Sequence, residues 1–192
     1  VAPAPGSYRL PPIQMAPEGR VLDSHGRSWP LHRYTQGRIT LFSFMYTYCS
    51  DPGGCPLAYT VLLELRTRLL REPALAARVR LVSLSFDPVN DTPLMMKAYG
   101  GALAAAGSAV RWDFLTTAGV ADLKPIIDRF GQAVLVQRDA GGRPLRLYHH
   151  LLKVFLLDAS GRVREIYTPA FLLPDVVFND ILTLDMEQRA TR

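Results

Sequence analysis

Cys49 and Cys55 are the two cysteines of a 192-residue chain, separated by Ser50, Asp51, Pro52, Gly53 and Gly54. They lie between an apolar, β-branched run that ends near Thr47 and a helical pattern that opens at Pro56. A helix N-terminus offers free backbone N–H groups and partial positive charge, which favour a thiolate over a thiol. Thiolates are the nucleophiles of disulfide exchange and soft ligands for Cu(I) or Zn. The Pro52-Gly53-Gly54 stretch lets the loop fold both sulfurs toward one point. A structural disulfide is the plainer use of such a pair. It would close a loop of seven residues. The chain-entropy model gives such a loop about 2.4 kcal/mol, a modest gain beside a full core.

The second chemically able segment is Tyr148-His149-His150-Leu151-Leu152. Neighbours on a strand point to opposite faces, so one of the two histidines faces any site built beside it. His25 and His32 flank an early turn and read as exposed polar residues. The acidic segment Phe86-Asp87-Pro88-Val89-Asn90-Asp91-Thr92-Pro93 follows a strand-like run, as the cysteine loop does. Sites in open α/β sheets lie beyond the carboxyl ends of strands, which brings Asp87 toward the cysteines. Thr92 is expected to cap the helix that follows, with Pro93 in its first turn and Asp91 helping its start.

These segments need a scaffold, and the rest of the chain alternates strand and helix patterns. Residues 1–17 hold Pro3, Pro5, Pro11, Pro12 and Pro17 and read as an extended arm, packed at its end. Residues 18–192 read as a single domain. Turns containing glycine predict hairpins around Asp23–Arg27, Asp139–Arg143 and Asp158–Arg162. Strands are expected at Arg38–Thr47, Val79–Phe86, Val110–Thr116, Ala133–Gln137, Leu145–Asp158 and Arg162–Thr168. Helical spacing marks a run from Pro56 to Leu69, another from Pro93 to about Gly107, one from Val120 to Phe130, and a last near Pro174–Met186. That order predicts an α/β fold: a thioredoxin-like central sheet flanked by helices, with extra hairpins.

Composition removes several classes of function. At 48% apolar and 20% charged residues, the chain is not disordered. A net charge of +5 comes almost wholly from scattered arginines, with no basic tract and no nucleic-acid-binding signature. Nucleic acid is therefore not an expected partner, although a basic surface suits an acidic one. No apolar run approaches the roughly 20 residues that span a bilayer. The sequence begins at Val1 rather than Met, which fits removal of a leader or membrane tether and hence an exported protein.

Three motifs, in order, resemble the Sco/SenC family. Tyr46-Thr47-Tyr48-Cys49, then Cys55-Pro56, resembles Y-T-x-C-x-x-x-C-P; Ser85-Phe86-Asp87-Pro88-Val89-Asn90-Asp91-Thr92-Pro93 resembles S-x-D-P-x-x-D-T-P. His150 followed by Leu156, Asp158 and Gly161 resembles H-x-x-x-x-x-L-x-D-x-x-G. Together they cover about residues 20–168. The resemblance implies a thioredoxin fold with an inserted hairpin, and a copper site that carries over to Cys49, Cys55 and His150. It implies Cu(I), and Cu(II) as well, as the bound metal. The implied role is that of a metallochaperone in the periplasm or cell envelope. The implied partners are a thiol reductant and a copper-accepting envelope protein such as a cytochrome c oxidase subunit. The chain departs from the family at three places. Five residues rather than three separate the cysteines, Ser50 replaces a proline, and His149 replaces an acidic residue.

A thiol–disulfide oxidoreductase that uses Cys49 and Cys55 without metal is the competing expectation. Thioredoxin-like reductases keep two residues between their cysteines and a cis-proline before the facing strand, and this sequence has neither. Peroxidase chemistry is disfavoured too, since no Thr-x-x-Cys precedes either cysteine.

Overall fold

The computed structural model describes residues 2–105 and 107–191, with Arg146 described by its backbone alone. In chain order the elements are β1 (Gln14–Met15), β2 (Arg20–Leu22), β3 (Ser28–Pro30), α1 (His32–Thr35), β4 (Ile39–Met45), α2 (Cys55–Leu69), α3 (Pro73–Ala76) and β5 (Val79–Ser85). There follow α4 (Pro93–Gly100), β6 (Arg111–Leu115), α5 (Val120–Arg129), β7 (Val134–Arg138), β8 (Pro144–His150), β9 (Val154–Leu157), β10 (Arg162–Tyr167) and α6 (Pro174–Ala190).

Six strands form one mixed sheet in the order β1-β10-β9-β4-β5-β6. The strands β4, β5 and β6 run parallel, while β9 pairs antiparallel with β4. All seven residues of β4 and all seven of β5 are buried, as expected of central parallel strands covered on both faces. Phe42, Phe44 and Phe155 meet Phe130 from the end of α5, with Phe42 and Phe130 stacked at 4.9 Å. Such pairs add about 0.5–1.5 kcal/mol each to the burial itself. This is the thioredoxin-like arrangement, with β2–β3 and β7–β8 as separate two-stranded ribbons.

Three details differ from the sequence expectation. The run Leu145–Asp158 is two strands rather than one. β8 pairs with β7 in the outer ribbon, and β9 enters the centre of the main sheet. Between them the buried Gln132 amide donates to the Leu151 carbonyl at 2.9 Å, which ties the crossover down. The helix from Pro93 stops at Gly100 and continues as one 3₁₀ turn, Gly101–Ala104. Gly101 adopts φ +48°, a left-handed conformation that ends an α-helix. The N-terminal segment is held along its length. The Gly6 N–H donates to Thr183 Oγ1, Leu10 is buried, and β1 adds an edge strand against β10.

Candidate metal centre

The cysteine loop leaves the carboxyl end of β4, and the first helical residue of α2 is Cys55 itself. Cys55 is buried at 4% exposure, whereas Cys49 is partly open to solvent. The five-residue spacer is an ordered turn. Asp51 accepts the Gly53 N–H through its side chain at 3.0 Å and the Gly54 N–H through its carbonyl at 2.9 Å. A Cβ on Gly54 would stand 3.4 Å from Cys49 Sγ and 3.3 Å from the Asp51 carbonyl. Glycine at this position therefore lets the Cys49 sulfur lie against the helix start. Nothing in the sequence reading singled out Asp51; an Asp two residues before a Gly is the signal that could have done so.

The third group arrives on the β7–β8 ribbon. Val134 pairs with His150 and Leu135 with His149, so the two imidazoles lie on opposite faces. His150 Nε2 sits 3.8 Å from Cys55 Sγ, while His149 is exposed and bonds Gln137. One ligand atom each from Cys49, Cys55 and His150 lies within 4.8 Å of the others, the one such three-residue grouping among the described residues. Three ligand atoms held about 2.0–2.3 Å from a common ion in a trigonal array stand about 4 Å apart, so closure by less than about 1 Å would bring this group onto a metal.

The site has an aromatic wall. The His150 ring meets Phe86 edge-on at 4.8 Å and Tyr46 at 6.3 Å, and Tyr148 packs on both of those rings. Rings packed on two sides restrict the imidazole to few orientations, and burial also raises the Tyr46 phenol above its ordinary value.

The two sulfurs differ in charge as well as in exposure. The hydrogen bond with Cys55 holds Cys49 far below the ordinary thiol range, at about 4; His150 and the N–H groups of Cys55 and Asp51 add to this against the cost of burial. Cys55 shifts upward, because its thiol donates to Cys49 and because it is buried. Hydrogen bonding between the sulfurs thus favours Cys49 as the thiolate and Cys55 as the thiol whenever the metal-free pair holds a single proton.

Neither acidic residue of the Phe86–Pro93 segment joins this group. The Asp87 carboxylate accepts the Asn90 side-chain amide at 3.0 and 2.9 Å and holds its own turn. Thr92 caps α4, as its place before Pro93 predicts, whereas Asp91, expected to help that start, lies one residue outside the cap. The buried Asp91 carboxylate instead turns toward β4, accepting the Thr47 N–H at 3.0 Å, the Thr47 hydroxyl and the Ser85 hydroxyl at 2.6 Å. It locks the ends of β4 and β5 together two residues before Cys49. His32 pairs with Glu18 at 3.3 Å, and His25 is exposed beside the β2–β3 turn.

Comparisons with known proteins agree with this geometry. A "SCO1 protein homolog" of Bacillus subtilis is 24% identical over 147 residues, spanning 76% of this chain and 70% of its own length. The copper-bound ScoI of Bradyrhizobium japonicum superposes with a TM-score of 0.64 at 21% identity, covering 91% of this chain and 98% of that one. BsSco, described with a disulfide switch and as a member of the Sco family of cytochrome c oxidase assembly proteins, gives 0.66 at 21% identity over 92% and 98%. The SCO1/SenC family profile matches residues 20–184, which includes all three motifs and every element from β2 to most of α6, and the chain therefore belongs to the SCO1/SenC family.

Proposed function

We propose that this chain is a copper-binding metallochaperone that holds its cargo between Cys49, Cys55 and His150. The observation that supports this most is the convergence of two sulfurs and one imidazole nitrogen within 4.8 Å, brought from three separate segments. Two thiolates suit Cu(I) by softness and low coordination number, and the imidazole adds a donor that Cu(II) favours. Loading displaces the proton that the two sulfurs share, so uptake weakens as pH falls. The partly open Cys49 and the exposed Tyr48 leave one side of the site accessible to a recipient.

Family membership, with a copper-bound relative and a relative in cytochrome c oxidase assembly, supports delivery to a respiratory oxidase or another envelope cuproprotein. The same membership supports a place in the periplasm or cell envelope, and a thiol reductant as the second partner. No helix among the described residues is long and apolar enough to cross a membrane.

The test is copper titration of the reduced and the oxidised protein. The reduced form is expected to take up one copper per chain with thiolate-to-metal absorption. The oxidised form should take up none there, because a disulfide sulfur lacks the thiolate charge. Equal uptake by both forms would place the copper on surface histidines and remove this reading. A dedicated thiol–disulfide reaction is the second reading, favoured by the asymmetry between an accessible thiolate and a buried thiol. Rapid turnover of a partner disulfide without metal would move it to first place.

A further inference from the structure

A cavity of about 490 Å³ lies away from the cysteines. Arg38, Ala77 and Arg111 on its lining stand just before or at the start of β4, β5 and β6, the amino ends of the parallel strands. The metal centre occupies the carboxyl end of β4. The other walls come from the β2–β3 hairpin and from the segment before β6. A volume near 500 Å³ suits a small organic ligand rather than a single ion.

Its charge is unbalanced. Asp23 is engaged by Arg27 at 2.9 Å, and Asp113 by Arg111 at 3.0 Å. Arg33 and Arg38 also line the cavity, and neither has a carboxylate partner among the described residues. Beneath them lies Arg80, buried at 8% exposure, which pairs across the sheet with Arg111. Among the described residues its guanidinium donates to the backbone carbonyls of Arg33 and Gln36, and its Nε has no partner. Burial lowers Arg80 to about 10, and the charges of Arg38 and Arg111 press in the same direction against the pull of Asp113. Asp113 favours the Arg80 charge but is itself paired with Arg111, so Arg33 and Arg38 leave the cavity with a net positive charge that suits an anion.

The walls also specify the rest of the ligand. On the face of β6 that carries Arg111 and Asp113, Trp29 and Tyr34 line the cavity, and the Arg33 guanidinium lies 3.9 Å over the Trp29 ring. Stacking on an indole holds a guanidinium in a fixed plane while leaving its edge free to donate. We infer that this cavity is a second binding site, for a small organic oxyanion whose flat ring meets the aromatic wall and whose charged head meets Arg33 and Arg38. Phosphate esters and aromatic carboxylates share that chemistry.

Of the two tryptophans of the chain, Trp29 lies under the Arg33 guanidinium on this cavity, whereas Trp112 is buried and donates to Ser83 Oγ, so a ligand-dependent change in intrinsic fluorescence reports on Trp29. The experiment titrates the full chain with AMP and, separately, with phthalate, with adenosine as the uncharged control. A saturable fluorescence change with a Kd below about 1 mM is expected for at least one of the two anions. Binding by AMP alone identifies the phosphate ester as the source, and binding by phthalate alone the carboxylate. Adenosine should bind at least about tenfold more weakly than AMP if AMP is the ligand. The Arg33→Gln/Arg38→Gln double variant should lose at least about tenfold in affinity while taking up copper as the parent does. If that variant fails to fold, Arg38→Gln alone should still weaken binding by at least about threefold. Absence of a saturable change with both anions would overturn the inference. So would equal binding of adenosine and AMP, or unchanged affinity in a folded variant.

Discussion

The division of labour between His149 and His150 follows from a period of two. Adjacent strand residues cannot face the same sulfur pair, and the ribbon register puts His150 beside Cys55 and His149 beside Gln137. His150→Ala is expected to abolish stable Cu(II) binding while leaving a two-thiolate Cu(I) site, whereas His149→Ala should change affinity by less than about twofold. The Cu(II) thiolate charge-transfer band of each variant decides this; its loss in the His149 variant alone would reverse the assignment. Asp91 acts at one remove, through the backbone and hydroxyl of Thr47. Asp91→Ala leaves the donors of Thr47 and Ser85 without that acceptor in a buried setting, at about 1–3 kcal/mol for each group left unmet. Denaturant unfolding should show the loss of stability. Copper affinity of the folded fraction should fall too, because the loop before Cys49 is no longer pinned.

Among the elements, the hairpins are governed by aspartates that fold their own turns. Asp23 accepts the His25 and Arg27 N–H groups, the Arg27 guanidinium and the Trp29 indole N–H. Burial alone would raise its pKa, but those bonds, led by the one from Trp29, outweigh it and bring Asp23 down to about 2. A carboxyl whose folded pKa is depressed contributes its stability above the unfolded value of about 4, and loses it as pH falls toward the folded value. Wild type and Asp23→Asn should therefore differ most near neutral pH. Their unfolding free energies should converge between about pH 4 and pH 2. A difference that stays constant across that window would show that the amide replaces the carboxylate fully.

For the molecule as a whole, the proline-bearing start of the chain is a strap across α6 and β10. Tyr8 bonds Asp180, which Tyr167 also reaches at 2.6 Å, and Asn179 donates to the Pro3 carbonyl at 2.8 Å. Burial and the bond to Asp180 push the Tyr8 phenol up to about 12, so this tie persists throughout neutral pH. Tyr8→Phe should cost about 1 kcal/mol of global stability and free the arm locally. Trypsin cleavage after the exposed Arg9 should become several-fold faster in the variant, with the copper site unaffected. An unchanged cleavage rate would mean that β1 pairing alone holds the strap.

Much of this protein was legible without coordinates. Cys49 and Cys55 between a strand and a helix, the three glycine-bearing hairpin turns, and the order of strands and helices are local patterns, set by side-chain period and backbone preference over a few residues. The motif order likewise identified the family, because it lists residues in the sequence in which they are chained. What the sequence left open is everything that joins distant segments. The turn of Asp91 toward Thr47 and the hold of Gln132 on the Leu151 carbonyl depend on partners 44 and 19 positions away, and the break of Leu145–Asp158 into two strands of different sheets depends on the pairing of β9 with β4, 111 to 117 positions away. Neither propensity nor period carries information about such partners. The arginine-lined cavity is the extreme case: Arg33, Arg38 and Arg111 read as scattered single charges along the chain, and only the pairing of β4, β5 and β6 with α1 beside them gathers them at one end of the sheet.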